Sequence, residues 1–163
     1  MNRITPNNIQ ELKNNEIFVF GSNLSGIHGK GAARLAYDKF GAIWGKSNGL
    51  QGQSYAIPTK DKTVIKTLEI EYIEHYIFEF IEFAKTNKEL VFLITEIGCG
   101  YAGYKPKDIA LLFEECKHLD NVYLPESFWK YIELVVTDEL KPISGVDSNP
   151  FCRYNKKISL FEL

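Results

Sequence analysis

The sequence predicts an α/β domain with a largely parallel central sheet flanked by helices. Apolar, β-branched and aromatic runs at Phe18-Val19-Phe20 and Val91-Phe92-Leu93-Ile94 have the length and composition of buried strands. Each is followed by a glycine-rich stretch and then by a segment of helical periodicity. Strands that alternate with helices in this way form parallel sheets, whose ligands bind beyond the carboxyl ends of the strands.

In chain order, Glu16 to Phe20 reads as a strand stopped by a Gly-Ser-Asn turn. Gly31 to Phe40 reads as a helix with Ala32, Leu35, Ala36 and Phe40 on one face. Gly41 to Gly52 reads as loop, because Gly41, Gly45, Gly49 and Gly52 surround Trp44. Gln53 to Ile57 is a second strand, closed by Pro58, which cannot donate to a central ladder. Thr67 to Asn87 is the clearest helix: Ile70, Ile73, Ile77, Phe80, Ile81 and Ala84 line one side and Glu71, Glu74, His75, Glu79 and Glu82 the other. Leu90 to Thr95 is a strand. Pro106 then opens a helix at a position that tolerates proline, with Ile109, Leu112, Phe113 and Cys116 as its buried stripe. Asn121 to Leu124 is a further strand, and Phe128 to Val136 is either a helix or a strand. Residues 1–136 form one domain. From Thr137 the pattern weakens into an irregular extension, 137–163, pinned on the same domain by Ile158, Leu160 and Phe161.

At 163 residues such a domain buries about two thirds of its unfolded surface. A net charge of −2 argues against coating of nucleic acid by bulk electrostatics and leaves room for a local basic cleft. The three cysteines have neither metal-site nor disulfide spacing, which fits a reducing cytoplasm. No basic-then-apolar leader opens the chain, and no apolar run approaches the roughly 18 residues of a membrane span. A cytoplasmic protein without membrane partner, metal or separate cofactor is expected.

Both glycine stretches follow strands and precede helices, so they bear on chemistry. In Gly21-Ser22-Asn23-Leu24-Ser25-Gly26-Ile27-His28-Gly29-Lys30-Gly31, the spacing Gly26, Gly29, Gly31 matches neither the dinucleotide fingerprint nor the phosphate loop of nucleotide hydrolases. It is either an anion-binding loop or an ordinary tight turn. Asn23 either orients a ribose hydroxyl or caps the turn. His28 either meets a phosphate or is an exposed loop histidine, and Lys30 adds a compact positive charge. The second loop, Gly98-Cys99-Gly100-Tyr101-Ala102-Gly103-Tyr104, repeats this logic. Cys99 is either a nucleophile or a small buried residue, and Glu96 is either a site carboxylate or a surface charge. Between the loops, Thr59 and Lys60 follow the middle strand. Lys60 either binds phosphate or reacts as an amine, or else belongs with Asp61, Lys62 and Lys66 to a solvated charged loop, which local chemistry favours.

Taken together, Asn23, Gly26, Gly29 and Gly31 with Ala32-Ala33, then Pro58-Thr59-Lys60, then Ile97 to Tyr104, resemble the macrodomain superfamily of ADP-ribose-binding modules over roughly Ile4 to Leu124. The nearer likeness is to the subgroup with Gly-Cys-Gly in the second loop. It includes enzymes that remove ADP-ribose from acidic side chains and antitoxin macrodomains that remove it from thymidine in DNA. The resemblance implies a three-layer macrodomain-like fold with a mixed, largely parallel sheet. It implies a ligand held by both loops through Gly21, Ser22, Asn23, Gly26, His28, Gly29, Lys30, Gly31, Thr59 and Gly98 to Tyr104. It also implies a catalytic Lys60 that attacks the anomeric carbon or stabilises the opened ribose, with Asn23 at the distal ribose and Glu96 assisting. ADP-ribosylated protein or DNA are the partners implied. The chain departs from family patterns in three places. Asn2-Arg3-Ile4-Thr5 lacks the adenine-reading aspartate, and Ala33 and Ala102 stand where other branches carry aspartate. A non-catalytic reader and an interaction protein with purely structural glycines are the alternatives.

Overall fold

A computed structural model of the chain describes residues 2–138. The chain forms an α/β fold around a five-stranded mixed, mostly parallel sheet of order β2-β3-β1-β4-β5. Its strands are β1 (Glu16–Asn23), β2 (Gly49–Gln51), β3 (Ser54–Lys60), β4 (Val91–Ile94) and β5 (Val122–Tyr123). Only the β2–β3 pairing is antiparallel. The helices are α1 (Gly31–Lys39), α2 (Ile70–Thr86), α3 (Pro106–Ile109), which passes into a 3-10 segment (Ala110–His118), and α4 (Glu126–Asp138). The last of these resolves the open choice at Phe128 to Val136 in favour of helix. The expected extension from Thr137 has its first two residues in α4, and the remainder lies outside the described residues.

Side-chain alternation along β1 builds two cores. Ile17 and Val19 point to the face covered by α2, the α3 and 3-10 segment, and α4, where Ile73, Ile77, Phe80, Phe113 and Phe128 are buried. Phe18 and Phe20 point to the opposite face, closed by α1 through Ala33, Ala36 and Phe40. Helices on both sheet faces make three layers.

Several boundaries differ from expectation, each for a pairing reason. β1 runs on through Gly21, Ser22 and Asn23, because those residues pair with Ile57, Pro58 and Lys60 of β3, with a bulge between Ser22 and Asn23. Ladder partners override the turn preference of Gly-Ser-Asn. Pro58 does not close its strand. Gln53 O accepts from Phe18 N, so by alternation Pro58's missing N–H faces the β2 side, where β2 pairs no further than Ala56. Part of the expected loop is β2 itself. The second helix starts at Ile70 rather than Thr67, since Thr67 bridges Lys60. The N-terminal stretch is tied beside β5 by an Ile4–Leu124 bridge.

Asn121 knits three elements together. Its amide Nδ2 donates to the carbonyls of Ala84, Asn87 and Leu90 at 3.0–3.2 Å, closing the end of α2 against the start of β4. Asn121→Ala leaves these carbonyls short of a donor, and a loss of about 2 kcal/mol is expected in urea denaturation. No loss would mean that water replaces the amide without cost. Among the described residues, no helix is long and apolar enough to cross a membrane.

Candidate functional site

Strand order locates the site. β1 leaves the sheet through α1 on one face toward β3, whereas β4 leaves through α3 on the other face toward β5. Neighbouring strands whose connections depart in opposite directions leave a crevice at their carboxyl ends. A cavity of about 490 Å³ opens there. Gly21, Ser22, Asn23, Gly29, Lys30, Gly31, Thr59, Lys60, Glu96, Gly98, Gly100, Tyr101 and Ala102 all line it, so three sequence-distant segments meet. Asn23 and Lys60 are direct register partners on adjacent strands.

The lining residues divide into those that hold the loops and those that face open space. Buried Asn23 holds the first loop: its Oδ1 accepts from the N–H groups of Ser25 and Ile27, and its Nδ2 donates to Ile27 O at 2.7 Å. Thr59 Oγ1 donates to Ser22 O, fastening β3 to β1. Gly29 and Gly100, by contrast, have nothing within 4 Å of where a Cβ would stand, so a ligand can reach their backbone. α1 begins between them. Its N-cap, Lys30, supplies no side-chain hydrogen bond to the first turn, leaving amide donors at the cavity wall. Tyr101 is 71% exposed. Its ring reaches across to Gly31, where a Cβ would lie 3.2 Å from it.

Lys60 Nζ donates to Val64 O at 3.4 Å, and Val64 is a β-branched residue held at φ 65°. That loop is organised by Asp61, whose carboxylate accepts from the N–H and hydroxyl of Thr63, and it is clipped to the first loop by Ser25 Oγ donating to Lys62 O. The exposed Glu96 carboxylate accepts from Ser127 Oγ. Glu96, Thr95, Gly31 and Ala32 also line a second cavity of about 510 Å³, bounded further by Thr5, Asn7, Asn8 and Phe18. Thr5 is buried, and its Oγ1 has no partner.

Five expected contact residues stand off the cavity lining. Gly26 is packed against the Gly45-Lys46 backbone, where a Cβ would come within 2.4 Å. His28 is neither exposed nor at a phosphate position: it is fully buried, packed edge-on to Phe20, with Nε2 3.0 Å from Ile43 O and Nδ1 without a partner. Cys99 turns toward the large core. Burial, with Glu96 and Asp108 nearby, pushes its thiol up to about 11, so it stays protonated at neutral pH and is a poor nucleophile. Gly103 takes φ 84° in a turn, and the Tyr104 hydroxyl donates to Leu68 O. The residues that sequence reasoning missed are Ile27, Ala32, Ala33, Val64, Thr95 and Ile97. Ala32 was assigned to the apolar face of the helix and Ala33 marked as standing where other branches carry aspartate, neither as a contact, and Val64 carries no sequence signal at all.

Burial lowers the pKa of His28, against weaker opposition from the Ile43 and Lys46 carbonyls. The neutral imidazole is therefore the folded form. The stability it contributes is complete above the unfolded value of about 6.5 and is lost as the pH falls through the lower folded value. Urea denaturation between about pH 7.5 and pH 5 is expected to show a steeper decline for the wild type than for His28→Gln. Equal slopes would exclude His28 as the titrating group.

Comparison of the chain with protein-family models, curated proteins and solved structures finds no match.

Proposed function

We propose that the cavity binds ADP-ribose or a closely related nucleotide and that the protein is an ADP-ribosyl glycohydrolase of the macrodomain-like type. One observation carries the reading: Lys60 lines the same cavity as two open-backbone glycines and an uncapped helix start. Backbone amides at Gly29, Gly100 and the α1 N-terminus suit a diphosphate. The second cavity, which shares Gly31, Ala32, Thr95 and Glu96 with the first, gives room for a base.

In the proposed reaction, Lys60 acts as the free amine, its ammonium proton having passed to solvent, and its nitrogen forms a bond to the anomeric carbon, with Glu96 assisting from the same cavity wall. The electron pair of the breaking glycosidic bond leaves with the acceptor atom of the carrier, which takes up a proton. Water then displaces the lysine and releases ADP-ribose. Asn23 acts through the loop that it holds, with one amide N–H left over for a ribose hydroxyl.

A second reading, a non-catalytic reader, is favoured by the Lys60–Val64 hydrogen bond, which engages the lysine as a donor rather than leaving it free as an amine. Calorimetry with ADP-ribose tests both readings together, because both require binding. Absence of heat at millimolar ligand sinks them, and the structural-glycine alternative then stands. Release of ADP-ribose from modified protein or DNA separates the enzyme from the reader.

A further inference from the structure

The turn from Asp61 to Lys66 follows Lys60 directly and stores backbone strain beside the cavity. Among the described residues, Val64 is the one non-glycine with a positive φ, 65°. A β-branched side chain is poorly suited to that region, because its Cβ crowds the following carbonyl. Such strain persists only where other bonds over-determine the backbone. Here the Asp61 N–H donates to Lys66 O at 2.9 Å and the Val64 N–H to Asp61 O at 3.2 Å, while Thr63 Oγ1 accepts from the Ile65 N–H. Packing does not hold Ile65, which is 84% exposed. Three contacts then connect the turn to the site. Lys60 Nζ donates to Val64 O at 3.4 Å, a long bond, and both residues line the cavity. Ser25 Oγ of the first glycine loop donates to Lys62 O at 2.7 Å. Thr67 Oγ1, just past the turn, donates to Ala102 O of the second glycine loop at 2.7 Å.

We propose that Val64 is a positioning residue, whose strained turn holds Lys60 aside until a diphosphate-containing ligand settles between the glycine loops. The proposal rests on the reading above for the ligand, and it describes how that site is regulated. Two states are involved. In the held state Val64 keeps its positive φ and its carbonyl accepts from Lys60. In the released state Val64 returns to a negative φ, and Lys60 Nζ turns to the oxygens of the ligand. A charge-assisted bond to phosphate is stronger than a long bond to a neutral carbonyl. The ligand therefore binds the released state better, which is what allows it to shift the balance. Strain in the held state lowers the cost of release, and the ties to Ser25 and Ala102 couple both glycine loops to the change. Reaction at the anomeric carbon and simple phosphate contact both need Lys60 off Val64 O.

The test is calorimetry of the full chain with ADP-ribose and with inorganic pyrophosphate. Wild type is compared with Val64→Gly and Val64→Asn, each made also in a Lys60→Ala background. Glycine and asparagine accept the left-handed region, so both replacements relax the held state. The ligand-free variants are expected to melt at or above the wild-type temperature and yet to bind ligand about tenfold more weakly. A merely structural Val64 would move stability and affinity in the same direction. With Lys60→Ala there is no lysine to release, and the Val64 replacements are expected to leave affinity unchanged. The proposal is overturned if both variants bind as tightly as wild type, if they lose affinity equally with and without Lys60, or if both melt below wild type. A Val64 effect on pyrophosphate in a protein that ignores ADP-ribose would sink the nucleotide reading and leave the Val64 device standing. ADP-ribose binding without a Val64 effect would sink the device alone, and no heat with either ligand would sink both.

Discussion

Replacement of Lys60 by alanine is expected to slow release of ADP-ribose about a thousandfold, the scale on which a reacting or proton-handling side chain contributes, while ADP-ribose still binds. The amine would form the bond to the anomeric carbon, and no other amine on the cavity wall shares its position: Lys30 stands at the start of α1, whereas Lys60 closes the end of β3 against Asn23. Single-turnover assays on ADP-ribosylated protein and DNA, run beside calorimetry, separate chemistry from affinity. A variant that turns over at the original rate removes the catalytic role. A variant that loses affinity in a protein with no wild-type turnover assigns Lys60 to phosphate contact alone and leaves the reader.

The second large effect is a contrast between glycines. Gly26→Ala is expected to destabilise the protein by about 3 kcal/mol, because its Cβ would stand 2.4 Å from Gly45 C and 2.5 Å from Lys46 N at a φ of 63°, and backbone on the far side cannot swing away. Gly100→Glu is expected to leave the melting temperature unchanged, since nothing lies within 4 Å of its Cβ position. Ligand affinity, however, should fall at least about a hundredfold, because the carboxylate would face a diphosphate. Thermal melts and calorimetry on the two variants measure this directly. Gly26→Ala with a wild-type melt would overturn the packing account, and Gly100→Glu with wild-type affinity would remove the second loop from the site.

That contrast also marks where sequence reading ends. Gly26 and Gly29 are alike as letters. One faces a backbone twenty residues away in the chain and the other faces open space, and only the folded arrangement of the Gly41 to Gln51 segment distinguishes them. The strands at Phe18 and Val91 and the apolar stripe of α2 were legible because local composition and periodicity agree with the layers they join. β1 was read too short because Gly21-Ser22-Asn23 has turn chemistry locally and gains ladder partners only from β3. His28 was read as a loop residue, whereas the ring packs among Phe20, Ile43 and Trp44, neighbours from both sides of the chain. Lys60 and Glu96 stood out as candidates because they lie at or just past strand ends, where α/β folds gather their chemistry, yet local chemistry favoured a solvated loop for Lys60, and Ser22 and Thr59 were named only through the resemblance.

Among the described residues, the sheet's two faces carry unequal thicknesses of protein. Among these residues, α2, the 3-10 segment and α4 stand behind Ile17 and Val19, while Phe18 and Phe20 are covered by α1 through Ala33, Ala36 and Phe40, with Ile9 and Ala42 beside them. The larger buried apolar cluster of the described residues thus lies on the face away from Gly31 and Ala32, which border both cavities. On the proposed reading, variation along the thin side would reshape ligand preference while the thicker side keeps the chain folded, so recognition would change more readily than the fold.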